Sequence, residues 1–402
     1  MKIAEILSGK RILIWGYGRE GQSTEQYCNK NCKPASVTVF EGKREEIDED
    51  AYDLIIKSPG IIMEEDHPKY TSQTELFLEE FRDQTVGITG TKGKSTTSTM
   101  LYQALHDCGV KTVLLGNIGQ PCLDYADQIS PDMLVVYEMS CHQLAHTKVS
   151  PHIAVFLNLF EEHLDYYKTV EKYFRAKSNI ARFQRPDDFF FVGENVPEFE
   201  TVSVKTVLPA QSERHFNLSV KGEQNQYNAD VVYRIAVELL EQDEETVRAS
   251  LESFQGLPHR LELVATLDGV SYYDDSISTI PEATISATKS VANVGTVLVG
   301  GMDRGINYDS LVRFIRRTPQ VRFICAYASG KRIYDALGGA ANCRYVQDLE
   351  QAVALAKKIT PRGSACILSP AAASYGYFKN FEERGEVFKQ LIRQTNPETT
   401  PE

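Results

Sequence analysis

No stretch of the sequence is apolar for long enough to span a bilayer, and no basic head followed by an apolar run opens it. Membrane insertion is therefore not expected, and the cytoplasm is the expected location. Cysteine is sparse, with eight residues in 402 and no Cys-x-x-Cys pair. That excludes a disulfide scaffold and fits reduced thiols. Cys28 and Cys32 lack a second ligand pair, and His142, His146 and His152 lack zinc-ligand spacing, so structural zinc is not expected. No short repeat recurs. Positive charge is in deficit, 43 Lys and Arg against 55 Asp and Glu, for a net charge of −12. This argues against bulk binding to nucleic acid or anionic membranes, but leaves room for a small basic phosphate pocket.

What is present is an ordinary globular composition, 42% apolar and 24% charged. The length suits two to three domains whose cores need no disulfide or metal. Short apolar runs alternate with helical patterns, the signature of an α/β fold with mostly parallel sheets. Strands are predicted at Arg11–Trp15, Val37–Glu41 and Leu54–Ser58, with a helix over Gln22–Asn29. A second block opens with a strand at Thr85–Thr89 and a helix over Lys94–Cys108. It continues with strands at Thr112–Leu115, Met133–Glu138, Ile153–Asn158 and Asp188–Val192, and a helical segment at Val170–Phe183. A third block holds strands at Val270–Asp274, Thr296–Gly300, Arg322–Ala326 and Ala365–Leu368. Boundaries are expected near residues 83 and 258.

The strongest local signal is Gly90-Thr91-Lys92-Gly93-Lys94-Ser95-Thr96, where a strand ends and a helix begins. Glycines let the backbone curl so that N–H groups face an anion, and the helix N-terminus adds partial positive charge. Lys94 would reach the β- and γ-phosphates of a nucleotide, and Ser95 would offer a hydroxyl to Mg²⁺. The usual P-loop places a glycine where Ile88 stands. The plain alternative is a glycine turn with a solvated lysine.

Gly16-Tyr17-Gly18-Arg19-Glu20-Gly21 follows a strand with dinucleotide-fingerprint spacing, and Glu41 ends the next strand, where a ribose-binding acid would sit. Alone, this motif suggests an NAD-dependent oxidoreductase. The same turn suits another diphosphate, or serves only as a turn. A third set gathers at strand ends of the middle block: Glu138, His163, Asp165 and, on the helical segment, Lys177. Glu138 and Ser95 together could hold a phosphate-bound Mg²⁺.

In combination these motifs resemble the Mur ligase family over nearly the whole chain. Gly90–Thr97 resembles its ATP loop, Gly116-Asn117-Ile118-Gly119 its GNIG turn, and Glu138-Met139-Ser140-Cys141-His142-Gln143-Leu144 its ELSSFQL motif. Asn158 through Lys177, Gly256-Leu257-Pro258-His259-Arg260, and Leu368-Ser369-Pro370 with Phe378–Gly385 resemble its later signatures. The resemblance implies three domains, a Rossmann-like N-terminal one for a UDP-sugar (1–83), a P-loop one for ATP (84–258) and a Rossmann-like C-terminal one (259–402). It implies an ATP-dependent ligase adding glutamate, D-glutamate favoured over L-glutamate, to UDP-N-acetylmuramoyl-L-alanine through an acyl phosphate in peptidoglycan precursor synthesis. The partners implied are small molecules, with no nucleic acid and a monomeric chain. A nucleotide-binding protein without ligase activity is a further alternative.

The resemblance also implies roles. Lys94, His163 and Lys177 are catalytic; Ser95, Glu138, His163 and a carbamylated Lys177 hold two Mg²⁺ ions. Asn225, Arg260 and Asp275 join residues 90–96 in binding ATP. Gly18, Arg19, Glu41, Ser58, Gly60 and Asn117 bind the UDP substrate. Arg304, Ser374 and Phe378 bind the amino acid. Several positions depart from the family pattern: Lys92, Glu162, Gln224, Arg304, Gly376, and Ile277 within Asp275–Thr279. Ile277, Arg304 and Gly376 fall in the acceptor domain, so they bear on which amino acid is joined. The chain is also shorter than the family pattern between Phe183 and Asn225.

Overall fold

Three sheets follow one another along the chain. The computed structural model describes residues 2–63, 67–116, 120–162, 164–220 and 222–394. The first sheet holds β1 (Arg11–Trp15), β2 (Ser36–Phe40), β3 (Leu54–Lys57) and β4 (Tyr70–Thr71), ordered β2-β1-β3-β4 and all parallel. The second holds β5 (Thr85–Thr89), β6 (Thr112–Gly116), β7 (Leu134–Glu138), β8 (Ile153–Phe156), β9 (Phe189–Gly193) and β10 (Val204–Leu208). Its order is β10-β9-β8-β5-β7-β6, again all parallel.

Alternation along β1 explains how these two sheets pack. Ile12 and Ile14 join one core with Ile56, Phe77, Phe81, Tyr137 and Phe156, which spans both sheets. Leu13 and Trp15 point the other way and pack with Ile55, Met63 and Tyr70. Residues 1–254 accordingly form one compact unit.

Residues 255–402 form the second unit. Its sheet holds β11 (Glu262–Leu267), β12 (Val270–Asp274), β13 (Val294–Val299), β14 (Arg322–Ala326), β15 (Cys343–Val346) and β16 (Ala365–Leu368), ordered β11-β12-β16-β13-β14-β15. Only the β11–β12 pair is antiparallel. These two strands are joined by Asp268-Gly269, both at positive φ (51° and 77°), as a two-residue hairpin of the primed type requires.

Every predicted strand is present, with ends that coincide or shift by at most two residues. The helix expected at Gln22–Asn29 runs from Arg19 to Asn31, because Gly18 rather than a polar residue occupies its N-cap. The helix at Val170–Phe183 ends at Arg182. Glu41 lies just past β2, and β4, β10, β11 and β15 have no counterpart in the sequence reading.

Candidate active site

β5 ends at Thr89, residues 90–93 turn, and a helix runs Lys94–Asp107. Gly90 (φ 156°) and Gly93 (φ 86°) make the turn. A Cβ on Gly93 would stand 2.7 Å from Asn228 Oδ1, so both conformation and space demand glycine there. Asn158, just beyond β8, clamps the loop. Its carbonyl accepts from Thr91 N–H (2.9 Å), its Oδ1 accepts from Lys92 N–H (2.9 Å), and its Nδ2 donates to the Lys92 carbonyl (3.0 Å). The first N–H groups of the helix have no intrahelical partner, which makes this loop an anion cradle. Gly93→Ala should weaken binding of a non-hydrolysable ATP analogue by about tenfold or more, since the loop must open for the methyl. Titration of the variant checks this; unchanged affinity would contradict the cradle.

Two lysines meet at this loop. Lys94 Nζ donates to the carbonyls of Gly90 (2.9 Å) and Thr91 (3.1 Å). Lys177 Nζ donates to the same Gly90 carbonyl (2.7 Å) and to Thr89 Oγ1 (3.3 Å), with the Tyr173 ring 5.0 Å away. Lys177 is 1% exposed, on the helix Val170–Arg182. Burial and the neighbouring Lys94 charge push its amine down to about 7, against the pull of Cys141, Glu162 and Glu138. Burial also lowers Lys94, opposed chiefly by Glu138.

Glu138 ends β7 paired with Ile88 on β5, and is wholly buried. Ser95 is buried in the first turn of the loop helix. Ser140, two residues past Glu138, forms a capping box with Gln143. Lys92 and Glu162, both departures from the family pattern, form an ion pair with each other at 2.8 Å. The helix Glu223–Tyr233 carries Asn225 and presses Asn228 against Gly93. His163 and Asn117 lie outside the described residues.

The first sheet presents the diphosphate-type turn. Gly16 (φ 91°) leaves no room for a Cβ, which would stand 2.8 Å from Ser58 Cβ, and Ser58 Oγ donates to the Gly16 carbonyl at 2.8 Å. A Cβ on Gly21 would stand 2.2 Å from the Gly16 carbonyl oxygen, so the third glycine serves helix–strand packing. Gly18, Arg19, Glu41 and Gly60 are exposed at the carboxyl ends of β1, β2 and β3.

In the second unit, Asp275 follows β12. Its carboxylate accepts from Ser369 Oγ (2.7 Å) and Leu261 N–H (3.3 Å). Burial lifts it to about 6, opposed by the hydrogen bonds from Ser278 and Ser369. Arg260 is exposed, one residue from Leu261. Ser374 is buried and Phe378 half-buried on one turn, where Phe378 N–H donates to the Ser374 carbonyl (3.0 Å). Met302 N–H donates to the Ala373 carbonyl (2.8 Å), which ties the exposed Arg304 loop to that turn. His259, Glu262 and Asp274 have metal-ligating atoms within 4.8 Å of one another. Their polar contacts are already made: His259 Nδ1 meets Asp274 Oδ2 at 2.7 Å, and Glu262 pairs with Lys389 at 2.8 Å. Gly385 packs against the His259 ring where a Cβ would stand 2.1 Å away, so the group holds the C-terminal helix.

Sequence reasoning assigned no role to Asn158 or Asn228. The first sits at the carboxyl end of a strand beside the loop strand, a position that marks sites in open α/β sheets. The second carries no local signal.

Residues 88–241 match the Mur ligase middle domain. The chain is 32% identical to UDP-N-acetylmuramoylalanine--D-glutamate ligase of Geobacillus kaustophilus, over 98% of this chain and 100% of that one. It is 30% identical to UDP-N-acetylmuramoyl-L-alanine--L-glutamate ligase of Xanthomonas euvesicatoria, over 97% and 96% respectively. In structure it is similar to MurF ligase of Thermotoga maritima in complex with ADP (TM-score 0.58, 15% identity, 97% and 96% covered). It is also similar to UDP-N-acetylmuramate-alanine ligase MurC of the same organism (TM-score 0.57, 18% identity, 95% and 99% covered). With a glycine loop clamped by Asn158 and a relative matched over 98% of this chain, the chain belongs to the Mur ligase family.

Proposed function

We propose that the chain is an ATP-dependent amide-forming ligase of peptidoglycan precursor synthesis, joining D-glutamate to UDP-N-acetylmuramoyl-L-alanine. The observation that carries this reading is the meeting of Lys94 and Lys177 at the Gly90 carbonyl, beside buried Glu138. A carboxylate is a poor electrophile. Its attack on the γ-phosphorus of ATP gives an acyl phosphate and ADP, and converts one oxygen into a leaving group. The glutamate amine then adds to the acyl carbon, loses a proton, and expels phosphate to leave the amide.

The residues divide this work. The loop Gly90–Thr96 and Lys94 hold the phosphates, Lys94 neutralising charge as it gathers on the transferred group. Asn225, Arg260 and Asp275 complete the nucleotide contacts. The oxygens of Ser95 and Glu138 are hard ligands of the kind Mg²⁺ prefers, and both are buried near the loop. Mg²⁺ would supply charge neutralisation on the phosphates. His163 and Lys177 would serve a second ion. An amine brought down to about 7 is half neutral at pH 7 and can add to CO₂, giving a carbamate and a proton. The carbamate replaces the repulsion between Lys177 and Lys94 with attraction. Gly18, Arg19, Glu41, Ser58, Gly60 and Asn117 take the UDP substrate; Arg304, Ser374 and Phe378 take the amino acid. Residues 1–83, 84–258 and 259–402 act as three domains of a cytoplasmic monomer. No helix among the described residues is long and apolar enough to cross a membrane.

L-glutamate is the second reading: Ile277, Arg304 and Gly376 depart from the family pattern in the acceptor domain and bear on the handedness of the amino acid, and the Xanthomonas relative is named for L-glutamate. Incubation with ATP, Mg²⁺, UDP-N-acetylmuramoyl-L-alanine and each glutamate enantiomer decides between them. The expected product has the mass of one added glutamyl group and forms with the D-enantiomer. Formation only with the L-enantiomer overturns that acceptor. Phosphate release indifferent to both substrates would indicate a nucleotide-binding protein without ligase activity, and NAD binding without ATP hydrolysis an oxidoreductase.

A further inference from the structure

We propose that binding of the UDP-sugar diphosphate at the Gly16–Gly21 turn is coupled to uptake of a proton by Glu20, an inference that rests on the UDP-site reading above. Glu20 is the second residue of the helix Arg19–Asn31, whose N-terminus faces that turn. The residue is half-buried, but its carboxylate is turned inward. Oε1 accepts from Gln143 Nε2 at 2.8 Å, while Oε2 is shut off from solvent and accepts no hydrogen bond from the described residues. An exposed acid in a first helical turn would simply complement the helix dipole. This one is instead held in a poorly hydrated place with half its oxygens unserved.

The groups facing it do not neutralise it. Lys57, at the end of β3, is buried and donates to the carbonyls of Ser58 (3.1 Å) and Ile61 (2.9 Å) rather than to Glu20. Cys122 and Tyr137 face it from the second sheet's side, and burial keeps both protonated. Burial lifts Glu20 to about 7, against the pull of the Gln143 hydrogen bond and of Lys57. The carboxyl is thus poised between its two forms at neutral pH. A diphosphate at the same helix turn brings like charge close, and like charge favours the neutral acid. By linkage, affinity rises as pH falls through the window around 7, and binding draws in a proton. Gln143 also accepts from Ser140 N–H through Oε1 (2.9 Å), so the change is passed to the residue two positions past Glu138.

Calorimetry of UDP-N-acetylmuramoyl-L-alanine binding at pH 7, in phosphate and in Tris, measures the protons exchanged. This ligand is a suitable probe because its diphosphate is a diester and does not titrate near pH 7. If the bound anion raises Glu20 by about one unit, the wild type takes up ~0.4 proton more than Glu20→Gln. Lys57, lowered to about 8 by burial, is raised by the Glu20 charge, so the two proteins are also compared in a Lys57→Met background, where its titration drops out of the difference. Equal proton counts in the two proteins would overturn the proposal. Should Glu20→Gln fail to fold, Gln143→Leu takes its place. Losing that hydrogen bond should move the midpoint of affinity against pH upward, and an unmoved midpoint overturns the proposal equally. Wild-type protein that binds no ligand at any pH would instead fell the UDP assignment itself, and this inference with it.

Discussion

Lys94→Met should reduce ADP formation by on the order of a thousandfold or more, with little loss of thermal stability. Methionine retains most of the aliphatic stem but removes the cation. In the folded protein Lys94 is half-buried, and its cation is satisfied by the Gly90 and Thr91 carbonyls of its own loop. Burial works against its charge, so the site is built to hold a positive group at some cost. Such an arrangement makes sense if an anion joins it, because a desolvated ammonium interacts with phosphate far more strongly than a solvated one does. Removing it should therefore act on the chemical step more than on folding. Turnover of Lys94→Ala and Lys94→Met, measured with their melting temperatures, tests this. Wild-type turnover in either variant would remove the P-loop assignment.

Much of the frame is legible in the sequence because its central strands are buried on both faces. Thr-Val-Gly-Ile-Thr of β5 and Leu-Val-Val-Tyr-Glu of β7 read as short apolar runs, and parallel strands require such runs. The unread strands lie at edges. β10 is exposed at Val204 and Val207, and β4 has only two residues, so neither carries a clear pattern. β11 was readable in principle, since Leu-Asp-Gly-Val is a hairpin signal. The site divides similarly. Contiguous residues such as Gly90–Thr96 announce themselves, whereas Asn158 and Asn228 matter only through contacts that the fold brings about. The Lys92–Glu162 ion pair gives the added charge of Lys92 a partner, whereas Glu162 keeps the charge of the acid it replaces and differs only in reach. The inward turn of Glu20 has no sequence signature at all, since an acid in a first helical turn is ordinarily a surface residue.

Lys177→Ala should lose most of the ligase activity, by about 100-fold or more, and recover part of it with added formate or acetate. Lys177 fills a buried position against Thr89, Gly90 and Tyr173, so its truncation leaves a space lined by polar groups. A short carboxylate entering that space restores an anionic oxygen where the carbamate would stand. The unmodified amine cannot supply one, since an ammonium has donors only. Folding should not suffer in proportion. Between about pH 7 and the ordinary lysine range near 10.5, the unfolded chain holds a proton that the folded chain has lost. Unfolded protein therefore binds more protons there, and this residue's contribution to stability rises with pH across that window and is least favourable below it. Alanine removes that dependence, so the wild type should gain stability relative to the variant between pH 7 and 10, as paired melts would show. Activity equal to wild type without any additive would defeat the carbamate. Lost activity with no rescue, together with no incorporation of ¹³C-bicarbonate into the wild type, would leave Lys177 as a buried amine that holds the Gly90 carbonyl in place.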